Sequence, residues 1–483
     1  MRLPRVARKP DPLQKLLAQP EFEAVPVALV SHCQAVPLGV LVRIILEQLL
    51  DPVSLERLQQ EHAARQYTRE LTMHALVGLM IQVAAGNRAS VFAAYQADQA
   101  SETPTITTTV QAVYQKLGRT EPALSEALVR FSATQLRPLV ESMPRAAQPV
   151  LAGYRTRILD GNVLTKTEHR LKPLRSKANG CLPGKGVVVY DPDLNLVTDL
   201  VLAEDAYAQE RVLARELLPR VRPGDLWLAD RHFCTAPFTF GVAQGGGCFL
   251  VRQHQSNLTV EPITELRPRG KTKTGEVFEQ RVRIRNAATD ASMEVRRIEI
   301  RLFSETRDGE SVIGLLTNLP DSVKATVVAD VYLQRWSIEK LFQFITDSLH
   351  CEVPGLGQPR AALLAFAMAL LAANALAVVR ASLRAAHGVQ AEAEVSGYYL
   401  ADEIGADYRT LMKYLPADQW KRCRDLPTAA LARLLPEIAR HVNLRALQRH
   451  PRGPKKPTPK RTHDRRHSHY STYRLLNEAE DSC

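Results

Sequence analysis

Arg157-Ile158-Leu159-Asp160-Gly161-Asn162 reads as a short β-strand: apolar residues run up to an acid, and a Gly-Asn pair favours a turn behind it. The residues that follow repeat the pattern. Gly186 to Tyr190 is a second strand turning at Asp191-Pro192, and Leu196 to Leu202 is a third. Gln209 to Leu218 has helical spacing, and Leu226 to Ala229 is a short buried strand ending at Asp230. A helix and another strand, Cys248 to Arg252, come next. Three strands, a helix, a strand, a helix and a strand are the order of an α/β domain with helices packed on a mixed sheet. Asp160 and Asp230 both fall at strand ends, where side chains are rigidly held yet reach solvent.

Outside this block the texture changes on both sides. Between Asn257 and Thr317 the sequence alternates, as in Val282-Arg283-Ile284-Arg285 and Val295-Arg296-Arg297-Ile298, which predicts antiparallel strands with one basic, exposed face in an inserted β subdomain. From Val27 to Ser132 the spacing is helical, and Val110, Val113, Tyr114 and Leu117 form a short amphipathic helix ended by Gly118. Such helices are more often packing units than groove readers. Helices dominate again from Ala325. Ala361 to Val379 is apolar apart from Asn374, but its alanine content and marginal length point to a buried helix rather than a membrane span.

Hydrophobic residues make up 45% and charged residues 24%, the composition of a folded chain. The net charge of +12 favours a polyanionic partner. Much of the charge sits in a tail after Leu447, with Arg452, Lys455, Lys456, Lys460, Arg461, Arg465 and Arg466, and its His463, His467 and His469 read as part of a solvated basic arm. Seven scattered cysteines, with no C-x-x-C pair, argue against a disulfide framework and a structural zinc site. The N-terminus carries Arg2, Arg5, Arg8 and Lys9, broken by Pro4 and Pro10, with no apolar stretch of a secretory signal behind it, so a cytoplasmic, nucleoid-associated protein is the expectation.

The most informative stretch is Tyr332-Leu333-Gln334-Arg335-Trp336-Ser337-Ile338-Glu339-Lys340-Leu341-Phe342-Gln343-Phe344-Ile345. Read as one helix, it puts Ile338, Leu341, Phe342, Ile345 and Leu349 on an apolar stripe, with Tyr332, Arg335, Glu339, Gln343 and Thr346 on the stripe beside it. Alone, Arg335 and Glu339 make an ordinary i,i+4 surface pair. Asp160 alone could cap its turn, and Asp230 could pair with Arg231. Together, two Asp at sheet-strand ends and a Glu on a later helix are what two-metal phosphoryl transfer requires, because carboxylate oxygens are the ligands Mg²⁺ accepts.

Leu159-Asp160-Gly161-Asn162, Ala229-Asp230-Arg231 and the Tyr332/Arg335/Glu339 segment resemble the DDE transposases of bacterial insertion sequences, in the group with a Y-x2-R-x3-E-x6-K signature. The resemblance runs from about Ser90 to about Val379. It implies an RNase H-like mixed-sheet catalytic core with a β-rich insertion between the second Asp and the Glu, flanked by helical N- and C-terminal regions. It further implies Asp160, Asp230 and Glu339 as catalytic residues and ligands of two Mg²⁺ ions, for which Mn²⁺ can substitute. The implied partners are double-stranded DNA, as transposon ends and target, and a second copy of the chain in a homodimer. Tyr332 and Arg335 would hold end phosphates, and Arg231 and Lys340 are further candidate DNA contacts. The signature lysine falls at Thr346, a departure that Lys340, on another part of the helix, does not repair. The family also stacks a flipped base on an aromatic residue of the insertion. The insertion here has no Trp, which leaves Phe278 and Phe303.

The organisation expected from this reading is a basic arm at 1–26, a helical DNA-binding domain at 27–150 and a catalytic core at 151–254 and 318–380. The insertion takes 255–317, a helical region suited to dimer contacts, including Tyr408 to Leu415, takes 381–447, and the tail takes 448–483. Two other functions compete with a cut-and-paste transposase: an inactive DNA-binding relative that regulates transposition, and a nuclease of the same fold that cuts without joining.

Overall fold

The computed structural model describes residues 12–450, apart from 24, 26, 27, 64–69, 146, 166–181, 255–257, 287, 307, 308, 354 and 415–419, and also residue 453. The basic residues at the two ends, Arg2 to Lys9 and Arg452 to Arg466 with the tail histidines, lie outside the described residues.

The valine-rich runs form the strands expected of them. β1 (Arg155–Val163), β2 (Lys185–Asp191) and β3 (Leu196–Ala203) pair antiparallel, and β1 then pairs in parallel with β4 (Asp225–Ala229), and β4 with β5 (Cys248–Arg252). This 3-2-1-4-5 order, three antiparallel strands continued by two parallel ones, is the mixed sheet of an RNase H-like core. Both faces are covered, which is why Val187, Val188 and Val189 are buried in succession.

The strand carrying Asp160 is longer than its Gly161-Asn162 pair predicts. Gly161, Asn162 and Val163 stay in β1 because β2 offers Val187, Gly186 and Lys185 in antiparallel register. Sheet pairing overrides local turn preference here. Asp160 therefore lies not at the end of its strand but where the parallel ladder to β4 stops, one residue past the last pair, Leu159 with Ala229. The helix expected over Gln209 to Leu218 is also cut short: α9 (Glu210–Leu213) passes into a 3₁₀ stretch, Ala214–Arg220, whose Pro219 cannot donate the α-helical bond.

The alternating segment forms β6 (Thr259–Pro262), β7 (Arg267–Lys271), β8 (Gly275–Asn286), β9 (Ala291–Leu302) and β10 (Val312–Thr317). These strands do not make a sheet of their own. β10 pairs with β5 on one side and β9 on the other, so the insertion extends the core sheet to ten strands. The β8–β9 hairpin also changes its buried face along its length. Val277, Ile298 and Ile300 belong to one core, and Val282, Ile284 and Val295, of opposite parity, belong to the other. That switch corrects the expected basic face. Arg283 and Arg285 are on the outside, but Arg296 is 1% exposed, with Nε donating to Glu279 Oε1 (2.6 Å) and Nη1 to the Pro320 carbonyl (2.8 Å).

On the side of Ile158, Leu228 and Leu250 the sheet meets α8 (Pro122–Ser142) and α13 (Pro359–His387); Leu159, Ala229 and Val251 face the other core, with α9 and α10 (Ala236–Gln244). α13 is long and apolar enough to cross a membrane, yet its most apolar stretch is wholly buried inside the fold, as its alanine-rich sequence suggests. Its polar Asn374 accepts from Val197 N (2.7 Å) and donates to Val197 O (2.9 Å) and Ser132 Oγ (2.8 Å), tying α13 to β3 and α8.

The N-terminal helices are not a separate body. α3 (Pro37–Leu49) packs on α15 (Gly397–Tyr414), with Gly39 N donating to Asp407 Oδ2 (3.2 Å) and Arg43 to Tyr408 Oη (3.2 Å). A side chain at Gly39 would meet the Asp407 backbone at 2.9 Å. α1 (Pro12–Leu17) packs on α16 (Thr428–Ala439), and α5 (Met73–Ala84) and α7 (Val110–Arg119) pack on α13. Helices expected in two regions thus share one core around α13. The segment expected to offer a dimer contact spends its apolar residues inside the chain, since Tyr408 and Leu411 are buried; Leu415 lies outside the described residues.

Candidate active site

Because Leu159 pairs with Ala229, Asp160 and Asp230 are the next residues along two adjacent parallel strands. Alternation puts them on the face of Ile158 and Leu228, and neighbouring strands lie ~4.8 Å apart, so the two carboxylates stand side by side. Each is fixed by its own backbone. Asp160 Oδ1 accepts from Gly161 N (2.9 Å), and Asp230 Oδ1 accepts from His232 N (2.8 Å), starting the 3₁₀ turn Arg231–Phe233. Burial pushes the Asp160 carboxyl up to about 7; the neighbouring Asp230 charge adds to the rise, and Arg335 opposes it.

The third element is not one helix. α11 (Ala325–Tyr332) gives way to a 3₁₀ turn, Leu333–Arg335, and then to α12 (Trp336–Asp347). This places Glu339 in the first turn of α12, at the end favourable to anions, and α12 over β1. Arg335 bridges the two halves of the site: Nη1 donates to Asp160 Oδ2 (3.4 Å) and Nη2 to Glu339 Oε1 (2.7 Å). The i,i+4 pair is therefore real, and its arginine also serves the sheet.

The broken helix changes the expected stripe. Tyr332 is 6% exposed and packs in the core. Burial pushes its hydroxyl up from the usual phenol range, with Arg335, Asp230 and Arg252 as charged neighbours, so it faces the site from beneath rather than from the surface. Thr346, at the signature lysine position, turns inward, 3.6 Å from Cys351 Sγ. Lys340 is exposed on α12. Arg231 is exposed as well, and pairs with Glu310 (3.4 Å) rather than with Asp230. Phe303 is exposed, and Phe278 is half-buried beneath Arg301, whose guanidinium lies 4.0 Å from the ring centre.

Two residues that the sequence reading passed over join the site. Glu210 lies against Gly161, where a Cβ would come within 2.2 Å of its carboxyl carbon, and its charge reaches Asp160. Arg252 ends β5 beside Asp230, because Ala229 pairs with Val251. Both depend on register and packing between distant segments, which leave no local mark in the chain.

Among the described residues, no three carboxylate, imidazole or thiol groups converge closely enough to hold a metal ion by themselves. Asp160 and Asp230 converge, and Glu339 is linked to them through Arg335. The donors nonetheless suit a hard cation. They are oxygen-only, and two like charges held together in a buried setting demand positive charge, which Arg335 already supplies in part.

Residues 151–375 match the family model described as transposase DDE domain. A protein of Sinorhizobium fredii (strain NBRC 101917 / NGR234) named "Putative transposase y4zB" is 27% identical over 175 residues, 36% of this chain; the chain spans about half, 47%, of that relative. A cryo-EM structure of the piggyBac transposase synaptic complex with hairpin DNA aligns over 79% of this chain and 82% of its own, at 11% identity and a TM-score of 0.37.

Proposed function

We propose, from the premise that residues 151–375 form a transposase DDE domain of the insertion-sequence type, that this protein binds the terminal inverted repeats of its element and cuts and rejoins DNA there. The observation that carries the reading is the in-register pair Asp160 and Asp230, with Glu339 joined to it through Arg335.

In this reading Asp160, Asp230 and Glu339 hold two Mg²⁺ ions, or Mn²⁺ in their place. When bound, they would activate the attacking water or 3′-hydroxyl and stabilise the leaving oxygen. The chain's own residues do the positioning. β1 and the turn after β4 fix the two Asp by backbone hydrogen bonds, and α12 carries Glu339 over β1. Arg335 is the charged group within reach of both carboxylate sets, and a guanidinium binds phosphate as readily as carboxylate. A DNA phosphate would compete with Glu339 for Arg335, and Glu339 is one of the carboxylates that would hold the cation. Tyr332, packed beneath, orients Arg335 rather than meeting DNA. Exposed Arg231 and Lys340 are left for backbone contacts that set register. A second copy of the chain would hold the other transposon end.

The test is cleavage of labelled DNA carrying the terminal repeats that flank the gene, in Mg²⁺, comparing native protein with Asp230→Ala and Glu339→Ala. Native protein should cut at the repeat boundary, and the variants should bind but cut at least ~10³-fold more slowly, about 4 kcal/mol of lost barrier reduction. Variants that cut as well as native protein would place the chemistry elsewhere. Native protein that binds without cutting in Mg²⁺ or Mn²⁺ would make this an inactive relative.

A further inference from the structure

The row begun by the catalytic pair has a third member. Leu159, Ala229 and Val251 pair across β1, β4 and β5, so Asp160, Asp230 and Arg252 follow one another across three parallel strands, on one face, within about 10 Å. Arg252 has a side chain 22% exposed, and it contacts Glu310, in the connection between β9 and β10. Glu310 also accepts from Arg231 Nη1 at 3.4 Å, and its own backbone N–H donates to Thr306 Oγ1 at 3.1 Å. Two guanidiniums thus share one carboxylate at the edge of the aspartate pair. Arg252, Asp230 and Arg335 are among the charged groups that act on the Tyr332 hydroxyl.

We infer that Arg252 binds a phosphate of the DNA end beside the catalytic pair, and that Glu310 is an internal anion holding the guanidinium in place until DNA displaces it. This rests on the transposase reading above. A planar guanidinium fork matches two phosphate oxygens. Glu310, with a side chain 31% exposed at a loop, is the partner such a phosphate can replace, because half-exposed ion pairs are weak. The two arginines that converge on Glu310, Arg231 and Arg252, both flank Asp230.

The experiment measures binding of the terminal-repeat duplex in EDTA, over a range of KCl, by native protein, Arg252→Gln, Arg252→Lys and Glu310→Gln, with a thermal melt of each. Arg252→Gln should reduce the slope of log K against log salt by about 1 and weaken binding roughly tenfold near physiological salt. Arg252→Lys, which keeps the charge but not the fork, should keep the slope and bind more weakly. Glu310→Gln should bind as tightly as native protein or more tightly. If Arg252→Gln and Glu310→Gln lose the same thermal stability and both slopes match native protein, the pair is only a brace and the inference is overturned. Equal weakening by Arg252→Gln and Glu310→Gln overturns it too. Native protein that binds no duplex removes the transposase reading itself, whereas native binding with an unchanged Arg252→Gln slope removes this inference alone.

Discussion

Asp191 and Asp160 lie on neighbouring strands of one sheet and are provided for in opposite ways. Asp191, 2% exposed, takes Arg157 Nη1 at 2.5 Å and Arg137 Nη1 at 3.3 Å on one oxygen, and the backbone N–H groups of Asp193 and Leu194 on the other. Asp160 has one backbone donor, one long contact from Arg335 and a second carboxylate as its neighbour. A buried acid with a full set of donors is a brace. One left short of donors beside a like charge is a place where a cation would be stabilising, which is the physical ground for the role proposed for Asp160.

The contrast can be broken from the Asp191 side. Asp191→Ala strands two arginines against a buried gap and should lower unfolding free energy by about 3–5 kcal/mol in urea titrations. A loss under about 1 kcal/mol would erase the distinction between the two residues.

Asp160→Asn tests the other side, with the opposite sign. A carboxyl raised to about 7 contributes stability that is full below the ordinary Asp range and is lost as pH climbs from about 4 through about 7. The amide escapes that loss. In EDTA the variant should gain on native protein between pH 5.5 and pH 8, by about 1–3 kcal/mol at the upper end, read from melts at both pH values. An equal gain at the two pH values would mean that ionisation of Asp160 is not what strains the site.

The smallest effect is expected at Tyr332→Phe. Losing one partly satisfied hydroxyl should change stability by about 1 kcal/mol and slow end cleavage by roughly tenfold, about 1.4 kcal/mol. A full loss of cleavage in a normally folded variant would promote the hydroxyl from orienting Arg335 to touching DNA.

The central strands were legible because alternation, valine runs and turn residues mark them locally, and so were both aspartates. What stayed hidden arose between segments. Gly161-Asn162 looks like a turn until β2 pairs with it. Arg296 looks like its exposed neighbours, because the parity switch in the β8–β9 hairpin is set by which helix packs over each half. The Tyr332–Ile345 stretch keeps helical periodicity through a 3₁₀ turn, so the apolar stripe was right at Ile338 and Ile345 while Tyr332 rotated inward. Arg252 and Glu210 reach the site only through strand register and packing. The family resemblance pointed to Asp160, Asp230 and Glu339 but not to this wiring.

α13 has a consequence for how the chain is made. The helices at 37–49, 73–84 and 110–119 bury their apolar faces against residues 359–387, which leave the ribosome some 240 to 350 residues later. At about 5–20 residues per second, those early helices wait on the order of ten seconds to a minute for the partner that completes their core. During synthesis the first third of the molecule therefore exists as sticky, unfinished helices. A chain truncated before residue 359 lacks the helix on which those early helices pack, and is expected to be a client for chaperones and proteases rather than a folded fragment.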